Sequence, residues 1–138
     1  MVSMIQEESE AGGENSMNAT LYERLGGYDA VAAVADALLQ RLRADSQLGR
    51  FWENRGDDGI AREKQLLIDF LCASAGGPLL YTGRDMVTSH RGMGITTGDW
   101  DVFISHLEAT LRQFELPEVE FAQVIDFIQG TQDEIIDP

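Results

Sequence analysis

The side chains of this sequence best suited to chemistry are its two imidazoles, His90 and His106. A neutral ring nitrogen binds transition metals, and the ring changes charge near neutral pH. His90 lies in Met86-Val87-Thr88-Ser89-His90, a short stretch with glycines on either side, and His106 lies within Phe103-Ile104-Ser105-His106-Leu107. Either one, taken alone, also reads as an ordinary structural or surface histidine. Other chemistry finds little to stand on. No Ser, Thr or Cys has the surroundings of a nucleophile elbow, and the one cysteine, Cys72, excludes an internal disulfide or a Cys-rich metal site. Gly26-Gly27, Gly76-Gly77 and Gly92-Met93-Gly94 lack the spacing and the preceding strand of a phosphate-binding loop. The carboxylates have no calcium-loop spacing and read as a solvated surface. A hydrolase therefore has no catalytic centre to name.

The elements that must position these histidines belong to a small acidic domain. The chain has 138 residues, with 10 Lys+Arg against 24 Asp+Glu and a formal net charge of −14. A chain of this size buries roughly 70% of its unfolded surface and needs no covalent staple. Its charge argues against nucleic acid and against an anionic membrane surface, both of which call for a basic footprint. The apolar stretches Ala30–Ala35 and Leu66–Cys72 are far too short to span a bilayer. Glu7, Glu8 and Glu10 stand where a signal peptide would be basic and then apolar. The expectation is a soluble cytoplasmic protein. Residues 1–18 hold four Glu, three Ser and no Lys or Arg, and read as an acidic flexible tail ahead of one domain over 19–138.

Helical periodicity runs through that domain. Thr20-Leu21-Tyr22-Glu23 has the pattern of a capping box, and Gly26-Gly27 stops the short helix it opens. From Asp29 to about Ala44, Val31, Val34, Leu38 and Leu42 recur at helical spacing. Ser46 is placed to cap a brief turn carrying Leu48, Phe51 and Trp52. A second long helix is expected from about Asp58 to Ala75, ended by Gly76-Gly77-Pro78. A short helix covers Arg84 to Arg91. Thr97 then caps a third long helix striped by Trp100, Phe103, Leu107, Leu111 and Phe114. Pro117 opens a fourth, carrying Phe121, Val124, Ile125 and Ile128 and continuing towards Ile135. No strand alternation competes, so the fold class is all-α.

Three stretches together resemble the group I truncated haemoglobins: Leu21-Tyr22-Glu23-Arg24-Leu25-Gly26-Gly27, then Phe70 through Pro78, then Tyr81-Thr82-Gly83-Arg84-Asp85-Met86 with His90. The resemblance spans about residues 20 to 136. It implies a two-over-two helical sandwich around haem b (iron protoporphyrin IX), with His90 as the proximal iron ligand and the opposite axial position open to a diatomic gas. It also implies that Phe51 and Trp52 pack against the haem, with Leu67, Leu71, Met86 and Phe103 as further wall residues. Arg84 falls where the family puts a basic residue near a haem propionate, although it also reads as a surface arginine. His106 remains a helix residue of the sandwich.

On the distal side the sequence departs from the family. The tyrosine that normally donates a hydrogen bond to bound oxygen falls at Leu39, and the other distal positions fall at Glu63, Leu66 and Leu67, with Gln65 replacing Glu63 if the helix is shifted. A donor bond to the charge that oxygen acquires is worth about 1.5–3 kcal/mol, or one to two decades in release rate. Its loss implies an apolar pocket with weaker oxygen retention and relatively favoured carbon monoxide and nitric oxide. The expected function is binding of O2, CO or NO for storage, delivery or scavenging, by a monomer with a possible reductase partner. Nitric oxide dioxygenase or peroxidase-like turnover is an alternative from the enzyme class, and a haem-free helical interaction domain is another.

Overall fold

The computed structural model describes residues 19–136. The acidic tail expected over residues 1–18 lies outside the described residues. Helix α1 (Leu21–Leu25) opens on the capping box: Glu23 N donates to Thr20 Oγ1 at 3.1 Å, and Thr20 N donates to Glu23 Oε1 at 3.0 Å. Gly26 ends it at φ +112°, a left-handed conformation that a side chain would strain, and α2 (Gly27–Ala44) follows at once. After a 3₁₀ turn (Gly49–Trp52) come α3 (Asp57–Ser74), α4 (Met86–His90), α5 (Thr97–Gln113), α6 (Glu118–Gln129) and α7 (Gln132–Ile135). There is no strand among the described residues.

Four long helices pair off, α2 against α3 and α5 against α6, and α2 also packs on α5 to join the two layers. Leu38, Leu71, Cys72, Leu107 and Leu111 meet in the shared core, at the positions where the helical stripes fall. Each leucine buried there is worth about 1.5–3 kcal/mol. The two buried polar side chains in this layer are satisfied. Thr110 donates to the His106 carbonyl at 2.8 Å, and Asp99 is bonded to Arg50 and Gln47. Arg24 ties α1 to α6 through Glu120 at 2.5 Å and Gln123 at 2.9 Å. Gly77 closes the turn after α3 against Tyr22, whose ring leaves no room for a Cβ.

Several boundaries differ from the sequence expectation. The third long helix is capped by Thr96, not Thr97, because Thr96 Oγ1 receives Asp99 N at 3.0 Å while Asp99 returns a bond to Thr96 N. Asp45, not Ser46, caps the turn before Phe51: its Oδ1 accepts from Gln47 N at 2.8 Å and Leu48 N at 2.9 Å. The fourth helix stops at Gln129 instead of running on to Ile135, since Thr131 turns its hydroxyl onto the Ile128 carbonyl at 2.7 Å. Phe114, the last of its expected stripe, sits past the end of α5 and is exposed.

Candidate functional site

Helix α4 has five residues, too few to persist on local propensity. It is held from both ends. Asp85 caps it by accepting from Thr88 N at 2.6 Å, a bond that draws the Asp85 carboxyl below its ordinary pKa, and α7 lies against it. Its last residue is His90. The ring Nδ1 stands 2.9 Å from the Met86 carbonyl oxygen and 2.9 Å from Ser89 Oγ. A carbonyl only accepts, so this contact assigns the ring proton to Nδ1 and leaves the Nε2 lone pair as the donor atom.

The apolar residues expected around the site lie on the 3₁₀ turn, α3, α4 and α5. Phe51, Trp52, Leu67 and Phe103 pack on the core while staying partly exposed, Leu71 is buried, and Met86 is half-buried. Phe51 and Trp52 meet edge to face with centroids 6.3 Å apart. Phe70, also partly exposed, meets Tyr81 in the same way at 5.5 Å. The aromatic pair is fastened from two directions. Upstream, Asp45 accepts from or pairs with His106 Nε2 at 2.7 Å, and Arg50 pairs with Asp99 at 2.7 Å, so the segment 45–52 is clamped to α5. Downstream, Trp52 Nε1 donates to Glu63 Oε1 at 3.0 Å, and Arg55 reaches the same oxygen at 2.7 Å.

Leu39 is buried on α2 and borders a cavity of about 170 Å³ between α2 and α3, rimmed by the Lys64–Asp36 ion pair. Leu66 and Leu67 are partly buried on α3. The polar groups expected on this side already have partners: Glu63 serves Trp52 and Arg55, and Gln65 donates to Tyr28 Oη at 3.1 Å and Asp69 Oδ1 at 3.0 Å. Arg84 is exposed, with its carbonyl accepting from Tyr81 Oη at 2.6 Å and no ion-pair partner for its guanidinium among the described residues. His106 is committed to Asp45.

The sequence reading missed the two acceptors beside His90 and the clamp on the aromatic segment. A helix ending on its histidine places the carbonyl four residues back beside the ring, so Met86 was accessible to inspection. The Asp45–His106 and Arg50–Asp99 pairs span 61 and 49 positions and have no local signature. The donor set is also telling. Among the described residues no three His, Cys, Asp or Glu side chains converge as a metal cage. A lone imidazole cannot hold a bare divalent ion. It suits a metal that brings its own ring of donors within a flat apolar body.

Comparison with known proteins gives the family. A family model described as bacterial-like globin matches residues 20–136. The group 1 truncated hemoglobin of Tetrahymena pyriformis is 28% identical over 117 residues, covering 85% of this chain and 94% of that protein. Group 1 truncated hemoglobin GlbN of Mycolicibacterium paratuberculosis is 31% identical over 117 residues, covering 85% and 84%. Among solved structures, the Tetrahymena pyriformis truncated hemoglobin in its Fe(III) form superimposes with a TM-score of 0.79 at 27% identity, covering 87% of this chain and 100% of that one. The 2/2 hemoglobin from Synechococcus sp. PCC 7002, in the cyanomet state with covalently attached heme, gives 0.79 at 26% identity, covering 87% and 100%.

Proposed function

The chain belongs to the bacterial-like globin family, as a group 1 truncated globin, and on that premise we propose that it holds haem b through His90 and binds O2, CO or NO. The observation that carries this reading is the Nδ1 contact with the Met86 carbonyl, which engages Nδ1 and leaves Nε2 as the ring nitrogen to face iron. Iron porphyrin, when bound, would supply the metal that takes up a diatomic gas. The residues of this chain do the rest. Phe51, Trp52, Leu67, Leu71, Met86 and Phe103 would form the apolar wall that keeps water away, and Arg84 would pair with the carboxylates of the haem.

Leu39, Leu66 and Leu67 shape the gas side. With the side chains of Glu63 and Gln65 engaged elsewhere, neither is left to donate to the ligand, and oxygen loses the stabilisation that a hydroxyl would give it. The reading favours carbon monoxide and nitric oxide over retained oxygen. It also takes the protein as a cytoplasmic monomer whose iron is kept ferrous by a reductase. Optical spectra of the ferric, ferrous and CO-bound forms of wild type and His90→Ala test it. A Soret band that moves with CO in wild type and is lost or altered in the variant is the expected result. Identical spectra would overturn the assignment of His90.

A further inference from the structure

The two tryptophans of the chain, Trp52 and Trp100, point their indole N–H groups at different chemistry. Trp100 is 3% exposed and donates to the side-chain amide oxygen of Gln129 at 3.1 Å. Trp52 is partly exposed and donates to the carboxylate of Glu63 at 3.0 Å. An amide oxygen accepts a hydrogen bond but is no base at neutral pH, whereas a carboxylate can take the proton itself. Among the described residues, Trp52 is the aromatic side chain whose own N–H or O–H donates to a carboxylate; the Tyr81 hydroxyl donates to the Arg84 carbonyl. A separation of 3.0 Å is within reach of direct proton transfer.

We infer that Trp52 is a redox site: a one-electron donor to haem oxidised by a peroxide, with Glu63 taking the indole proton as the electron leaves. The inference rests on the haem reading, which packs Trp52 against the haem, and goes beyond gas binding to a peroxide-reducing activity. An indole that loses an electron becomes strongly acidic at Nε1, so a base in contact makes that electron easier to remove. Atoms and electrons balance over the cycle. A peroxide ROOH takes two electrons, and two protons from solvent, to give ROH and water. The haem iron supplies one electron and Trp52 the other, the Nε1–H bond breaking as its proton bonds to Glu63 Oε1. Two one-electron transfers from a phenol or thiol, each releasing a proton to solvent, restore the iron and the indole, which recovers its own proton from Glu63. Arg55 shares Oε1 at 2.7 Å but is exposed, and an ion pair of that kind holds the carboxylate weakly.

The test has two arms, each run on wild type, Glu63→Gln and Arg55→Ala. In the first, the full chain without haem is oxidised by photogenerated ruthenium(III) tris-bipyridine, and formation of the indolyl radical is timed in H2O and in D2O. In the second, hemin-loaded protein receives equimolar hydrogen peroxide and a spin trap, and the adduct is mapped by mass spectrometry. Wild type should oxidise more slowly in D2O and carry its adduct on Trp52. Glu63→Gln should oxidise about a hundredfold more slowly, the low end of what a positioned base contributes, and lose both the isotope effect and the Trp52 adduct. Arg55→Ala keeps the acceptor and should stay near wild type. Exposure alone favours Trp52 over Trp100 in every variant, so the contrast with Glu63→Gln carries the test. A Glu63→Gln protein that oxidises at the wild-type rate with the same isotope effect overturns this inference alone, as does a hemin-loaded wild type whose adduct lies elsewhere. A wild type that takes up no hemin would overturn the haem reading and, with it, the oxidant assigned here.

Discussion

His106 Nε2 lies 2.7 Å from Asp45 Oδ2, joining the middle of α5 to the residue that ends α2. The same carboxylate receives the amides of Gln47 and Leu48, so one side chain caps the turn that carries Phe51 and Trp52 and anchors it to the opposite layer. Arg50 repeats the anchoring one turn on, through Asp99.

This pair of anchors sets an acid limit on stability. The hydrogen bond with His106 comes first in holding the Asp45 carboxyl below its ordinary value of 3.8, followed by the amides of Leu48 and Gln47. Arg50 does the same for Asp99, more strongly and against the opposing effect of burial. A carboxyl whose folded pKa is depressed contributes fully above its unfolded pKa and loses that contribution as pH falls through the folded one. The thermal midpoint of the protein should therefore decline as pH drops below 3.8, and the decline should be shallower in Asp99→Asn. Melting followed by circular dichroism across that range checks both slopes.

Asp99 also bears on stability at neutral pH. It is 3% exposed, accepts from Arg50 and Gln47, and closes the capping box of α5. Asp99→Ala removes the return bond to Thr96 N and the acceptor for both side chains. The loss should be about 2 kcal/mol, the scale of a helix cap together with a buried hydrogen bond. Urea denaturation of the two proteins reads it directly.

Gly77 gives a steric prediction. A Cβ there would stand 2.6 Å from Tyr22 Cδ1, closer than packed atoms approach, and Tyr22 is held in place by its N–H, which donates to the Ala75 carbonyl at 2.8 Å. Gly77→Ala should cost about 1–3 kcal/mol, the usual penalty for overpacking. In a Tyr22→Ala background Gly77→Ala should cost much less in the same assay, since the ring it meets is gone, and the two substitutions should be non-additive.

On the proposed reading, Leu39→Tyr places a hydroxyl on the gas side. A donor bond of about 1.5–3 kcal/mol should slow oxygen release by one to two decades. Stopped-flow measurement of oxygen dissociation checks this, with Leu39→Phe as the control that adds the ring without the hydroxyl and should leave the rate near that of wild type.

Most of the fold was legible because it is written in local terms. The Thr20–Glu23 capping box, the stop at Gly26 and the apolar stripes of α2, α3 and α5 each depend on residues within a turn or two of one another. Errors arose where neighbours compete for one role. Thr96 and Thr97 are both good caps, and Asp45 and Ser46 both precede the aromatic turn. The choice between them was made by Asp99, which answers Thr96, and by His106, which answers Asp45. The site divides in the same way. His90 stands out by type and motif, whereas the commitment of Glu63 to Trp52 and Arg55 depends on how a loop meets α3. That meeting is a tertiary fact, and no spacing in the chain announces it.

The central claim is that one imidazole, His90, is the protein's bond to porphyrin iron. Titrating hemin into haem-free wild type and His90→Gly, and following the Soret band before and after adding free imidazole, tests it most directly. Wild type should saturate at one hemin per chain, while His90→Gly should give a weak, altered band that imidazole restores towards the wild-type spectrum. A wild type that stays colourless, or a His90→Gly protein whose spectrum matches wild type without imidazole, would contradict the account.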